Sequence, residues 1–190
     1  FSAGAAIDEM ADDNANSLRA RRFITSNWED LARFSKPTIA MVHGFALGGG
    51  LELAMMADII ITTPDAKLAL PEITLGVMPG AGGSQRLPRL LPPMLAQYLI
   101  LSGARLSGAD AHHHGLAACL YDSAQIMAET TLLAEKIASA SLPALKSIKQ
   151  SFHDARNLPL AEGIGRERER FYNLFDTAEQ KAAMKKFLSR

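Results

Sequence analysis

Cysteine is almost missing from this chain. Cys119 is the only one, so no disulfide can form within it, and the composition suits a reducing compartment. Net charge is missing as well. Lys and Arg together number 20 and so do Asp and Glu, leaving no overall field to draw nucleic acid or an anionic membrane to the surface. No apolar run reaches membrane-spanning length before Gly, Asp or Pro interrupts it. A cytoplasmic protein without nucleic-acid or membrane partners is the expectation. No low-complexity tract, flexible linker or sequence repeat is found, though early strand–turn–helix units could stack as layers. No initiator Met, charged n-region or cleavage site precedes Phe1.

What is present is enough for one sizeable domain: 190 residues, of which 48% are hydrophobic. The texture changes near residue 92. Before it, short β-branched runs alternate with glycine-rich turns: Thr38–Val42, then Gly44–Gly50, then Ile59–Thr62. The β-branched runs read as buried strands, and Leu51–Ala57, rich in Leu, Ala and Met, as a short helix. Ile24, Trp28, Leu31 and Phe34 recur at helical spacing and stop at Lys36-Pro37. After residue 92, apolar stripes predict helices over 124–140, 145–155, 160–175 and 178–188. The alternating charges of Arg166–Arg170 read as a solvated face or an ion-pair network. The class is α/β, with strands early and helices late.

Three features could carry chemistry. Gly48, Gly49 and Gly50 follow a strand and precede a helix, so backbone N–H groups could approach a ligand there; a tight packing turn fits equally well. The spacing matches neither a P-loop, which lacks its Lys-Ser/Thr here, nor a dinucleotide fingerprint. Glu52 and Glu72 both lie in strongly apolar surroundings, where a lone carboxylate is costly to bury. In one pocket their pKa values would be driven apart, as acid/base work requires; a helix-dipole acid and a salt bridge are the plainer readings. The third feature is the loop from Leu75 to Leu87, with Gly76, Gly80, Gly82 and Gly83, and Ser84 as its expected N-cap; it could place free N–H groups beside Glu72, and a structural turn is the plainer reading. His112-His113-His114 cannot form a closed metal triad, because adjacent helical residues face different ways. No metal is expected.

Together these features resemble the crotonase superfamily, and specifically its enoyl-CoA hydratases. Lys36–Asp58 resembles the family's KPxIAxVxGxALGGGxELAxxxD block, and Leu70–Leu87 its xPEIxLGxxPGxGGxQRL block. The two blocks at this spacing are far more specific than one glycine motif, and similarity extends over nearly the whole chain. The resemblance implies a crotonase-like (ClpP/crotonase) spiral of stacked ββα units with a helical C-terminal region. Residues 1–92 would be the C-terminal part of the spiral core with active-site loops, and 93–190 a helical region for closure and oligomerisation.

The resemblance also implies roles. Phe1–Ala5 is similar to the family's FxAGxD loop, so Ala5 would supply one oxyanion-hole N–H and Gly49 the other. Glu52 would orient and deprotonate water, and Glu72 would protonate the α-carbon, with the Gly80 N–H assisting. Ala3, Gly48 and Leu75 would line the substrate site. The implied reaction is hydration of trans-2-enoyl-CoA to 3-hydroxyacyl-CoA, with coenzyme A part of the substrate and no separate cofactor. A Δ3,Δ2-enoyl-CoA isomerase is the alternative, although such enzymes typically use one glutamate, at the position of Glu72. A non-catalytic relative is disfavoured by two intact glutamates. Ala6 stands where the family commonly has Asp, and Ala182-Ala183 where it has Glu-Gly. A homotrimer or dimer of trimers, assembled through the helical region from Ala124 onward, is expected. The chain is also expected to continue before Phe1, since an oxyanion N–H at Ala5 must be rigidly held and a free terminus frays.

Overall fold

The structure is a computed structural model describing residues 1–23 and 28–189. It divides into two compact units: Phe1–Arg33 with Thr38–Thr131, and Phe34–Pro37 with Leu132 onward.

In the first unit Ser2 forms a parallel bridge to Ala46, and α1 (Ala15–Ala20) and α2 (Trp28–Arg33) follow. The Asn14 side chain caps α1 by accepting the N–H groups of Asn16 and Ser17. Ile24, expected on the stripe of Trp28 and Leu31, lies outside the described residues. The expected strands form as β1 (Ile39–Val42) and β3 (Ile59–Thr62), paired in parallel with Ile39 opposite Ile59. Ile60, Ile61 and Thr62 are all buried, the pattern of a parallel strand covered on both faces.

The segment read as a glycine turn contains a further strand, β2 (Phe45–Leu47), parallel to β4 (Lys67–Ala69). Three residues between glycines give too little pattern to betray a strand, and its ladder partners lie far away in sequence. One partner is the chain start: Ser2 N–H donates to the Phe45 carbonyl (2.8 Å) and Leu47 N–H to the Ser2 carbonyl (3.0 Å). Two layers result. Sheet order is β1-β3-β6 in one and β2-β4-β5 in the other, with β5 at Leu106–Ser107 and β6 at Cys119–Leu120. The succession β1-β2-α3 (Gly49–Ala54) is repeated by β3-β4 and a 3₁₀ helix (Pro71–Leu75), each pair placing its first strand in one sheet and its second in the other. This is the two-layer stacking of ββα units anticipated above.

Helix α3 begins at Gly49, two residues before the expected start, because Gly48 caps it: Leu51 and Glu52 N–H both donate to the Gly48 carbonyl. Gly50 could not be any other residue, since a Cβ there would lie 2.4 Å from the Ser2 carbonyl oxygen. That contact packs α3 onto the first strand-like segment. Helices α4 (Gly83–Leu90), α5 (Pro93–Ser102) and α6 (Gly108–His113) close the unit around Val42, Ala46, Leu51, Leu68, Leu87 and Leu99. Ser84, expected to cap α4, is its second residue; the cap is Gly82, whose φ of 100° turns the chain in without a side-chain bond.

Helix α7 (Ile126–Ala138) spans the boundary between the units, and α8 (Leu142–Asn157), α9 (Leu160–Leu174) and α10 (Ala178–Leu188) make up most of the second. All four match expected helices to within a few residues. Ser141 and Thr177 supply side-chain caps for α8 and α10. The charged run on α9 makes ion pairs: Arg166 to Glu162 at 2.7 Å, and Arg170 to Asp154 of α8 at 2.5 Å. No helix among the described residues is long and apolar enough to cross a membrane.

Candidate active site

Glu52 sits in the first turn of α3 and is 2% exposed. Burying a carboxylate this far requires donors, and they come from the glycine-rich loop. Ala81 N–H (2.8 Å) and Gly83 N–H (2.7 Å) both donate to Glu52 Oε1. Gly80, expected to help with its own N–H, is exposed beside them.

Glu72 lies in the 3₁₀ helix and is differently held. Its Oε1 sits against Gly48, where a Cβ would come within 3.2 Å, and its Oε2 is buried without a hydrogen-bond partner. Loss of solvation raises its pKa above the ordinary 4.5; its own backbone N–H opposes the shift, and the nearby Glu52 charge adds to it. The two carboxylates therefore lie close enough to interact, and Glu52, in the first turn of α3, keeps the place of a helix-dipole acid while making further bonds. Glu52 is seated on amides, and Glu72 appears in no ion pair within 4 Å among the described residues.

Gly48 and Gly4 meet at the start of α3. Gly48 donates its N–H to the Ala69 carbonyl (2.9 Å) and adopts φ 53°, a left-handed turn suited to glycine. Gly4, at φ 96°, faces the same place: a Cβ on it would lie 2.7 Å from the Leu47 carbonyl oxygen and 3.5 Å from Gly49 N. Ala3 and Ala5 flank Gly4 and are exposed. Leu75 is exposed at the end of the 3₁₀ helix.

The N–H groups of the glycine-rich loop, expected beside Glu72, fall on Glu52 instead, through Ala81 and Gly83. Trp28 was read only as part of a helical stripe, yet its indole lies against Gly49, with Cη2 2.9 Å from where a Cβ would stand. Among the described residues no cluster of His, Cys, Asp and Glu could hold a metal. His112, His113 and His114 are exposed at the end of α6, and His112 Nδ1 lies 3.0 Å from the Ala117 carbonyl oxygen.

Paired carboxylates beside a half-buried glycine turn invite comparison with known proteins. The family model described as Enoyl-CoA hydratase/isomerase matches residues 1–190. A probable enoyl-CoA hydratase of Rhizobium meliloti is 45% identical over the whole chain, which spans 74% of that protein. The mitochondrial enoyl-CoA hydratase of Pongo abelii is 40% identical, and the chain spans 65% of it. Among solved structures, an enoyl-CoA hydratase subunit I of Geobacillus kaustophilus superposes with a TM-score of 0.96 at 41% identity, over all of this chain and 73% of that one. The layered α/β fold is thus the crotonase fold, and the chain belongs to the enoyl-CoA hydratase/isomerase family.

Proposed function

We propose that this chain carries the catalytic centre of an enoyl-CoA hydratase, adding water across C2=C3 of a trans-2-enoyl-CoA to give the 3-hydroxyacyl-CoA. The observation that carries this reading is the pair of unlike carboxylates: Glu52 seated on two amides, and Glu72 beside it with a buried, unpartnered oxygen. Water attacks C3 while its proton passes to Glu52. The displaced electron pair moves through C2 to the thioester oxygen, which the N–H groups of Ala5 and Gly49 stabilise as an enolate. Glu72, whose raised pKa favours the protonated form, delivers a proton to C2. The Gly80 N–H assists the water, and Ala3, Gly48 and Leu75 border the acyl thioester. Coenzyme A is part of the substrate, and the chemistry calls for no other cofactor.

Relatives named as hydratases support hydration over isomerisation, as does the second glutamate. The reaction belongs to fatty acid breakdown, and the single Cys119 supports a cytoplasmic setting. Assembly as a homotrimer or dimer of trimers is part of the same proposal; exposed Phe152 and Phe171 along α8 and α9 support it.

The test is loss of the conjugated enoyl-thioester absorbance. Glu52→Gln and Glu72→Gln should each slow hydration by about 10²–10⁴-fold while the fold is retained. Because one water serves both groups, the double variant should lose less than the product of the single losses. Near-wild-type turnover by either single variant would reject the mechanism. Conversion of 3-enoyl-CoA without hydration of 2-enoyl-CoA would favour the isomerase.

A further inference from the structure

We propose that the backbone N–H groups of Ala81 and Gly83 are the positioning groups of Glu52, seating one carboxylate oxygen so that the other is left for the water. The proposal rests on the reading of Glu52 as the water-side carboxylate.

Both hydrogen bonds land on the same atom, Oε1, at 2.8 and 2.7 Å. A carboxylate held this way has one orientation about its terminal torsion, which is otherwise a soft rotation. Gly83 is the first residue of α4, and a first-turn N–H has no carbonyl within its own helix to reach. Glu52 supplies the missing acceptor, and the positive end of the eight-residue α4 favours its charge. Gly82, at φ 100° between the two donors, provides the turn that lets both N–H groups converge on one oxygen.

Space is closed as well. A Cβ on Gly83 would lie 2.8 Å from Pro79 Cβ, 3.0 Å from Glu52 Oε1 and 3.0 Å from Leu70 Cδ1. A single methyl group there must push the carboxylate or the two side chains behind it. Gly82 and Gly83 therefore serve to aim a buried carboxylate. Glu72 has its own backbone N–H in place of such a pair of loop amides, and its Oε2 is unpartnered. Exchange of the α-proton needs only Glu72, which takes a proton from C2 and returns one from solvent. Hydration needs an aimed Glu52 in addition. The seat should therefore matter for adding water and not for enolate formation.

The experiment uses Gly83→Ala, which crowds Oε1, and Ala81→Pro, which removes one donor. Hydration of a short 2-enoyl-CoA and α-deuteration of the saturated acyl-CoA in D₂O are measured side by side. Hydration kcat should fall about 100-fold, the scale expected for a misplaced group, with KM little changed and α-deuteration near the wild-type rate. Amide hydrogen exchange supplies a readout independent of turnover, and in wild type it needs no variant. The Ala81 and Gly83 amides should be protected in wild type and in Glu52→Gln, and should exchange at least about tenfold faster in Glu52→Ala. Parallel loss of hydration and α-deuteration, unchanged hydration in both variants, or unprotected amides in wild type would each overturn the proposal. A wild-type protein that hydrates no 2-enoyl-CoA would remove the hydratase reading, and amide protection would still decide the seat.

Discussion

The Trp28 indole covers the first residue of α3 so closely that a Cβ on Gly49 would stand 2.9 Å from its Cη2 and 3.4 Å from its Cζ3. Gly49 thus has a wall against it, and Glu72 rests against its neighbour Gly48.

Gly49→Ala should displace the indole instead of unfolding the protein, because the contact is the far edge of a half-buried side chain on a six-residue helix. Trp28 is the only tryptophan, so its emission reports the displacement directly. A red shift is expected, together with a loss of about 1 kcal/mol or more in stability, at the low end for overpacking. Unchanged emission in a folded, crowded variant would show that the ring does not rest on Gly49.

Hydration should fall as pH rises through the raised pKa of Glu72, since a general acid must carry its proton. Stability should follow the same group. Its folded pKa lies above the unfolded value near 4.5, so the protonated form's contribution is full below 4.5 and is lost as pH rises through the folded value. Glu72→Gln removes that loss. Urea denaturation should show the variant gaining on wild type as pH increases above 4.5. A difference that does not change with pH would contradict the shift.

In the second unit, Asp154 is buried against Arg170, whose guanidinium donates to its Oδ2 at 2.5 Å and also reaches Ser151. This hydrogen bond lowers the Asp154 pKa against the opposing effect of burial, with further help from the Arg170 charge, Gln150 and Arg166. The pair's stability is present above the unfolded value of 3.8 and is lost as pH falls through the lowered one. Arg170→Met at neutral pH should lower Tm by several degrees, because it leaves a carboxylate without its main partner. The double variant with Asp154→Asn should recover part of the loss. A double variant no more stable than Arg170→Met alone would show that the pair is not what holds α8 to α9.

Local patterns in the sequence determined a good deal. The apolar stripes of the late helices, the β-branched runs of β1 and β3, and the glycines Gly48–Gly50 at the start of α3 are all set by neighbouring residues. The two glutamates stood out because an apolar setting makes a carboxylate conspicuous. Tertiary structure alone decided the rest, because the partners are distant. Strand β2 exists through Ser2 and β4, and Glu52 is held by amides 29 and 31 residues away. Amide donors carry no side-chain signature, so their aim is set only when Gly82 turns the chain and α4 begins at Gly83. The inequality between two chemically identical side chains, one seated and one desolvated with an open oxygen, is likewise a product of folding: it depends on which donors and how much water the surrounding layers leave at each carboxylate.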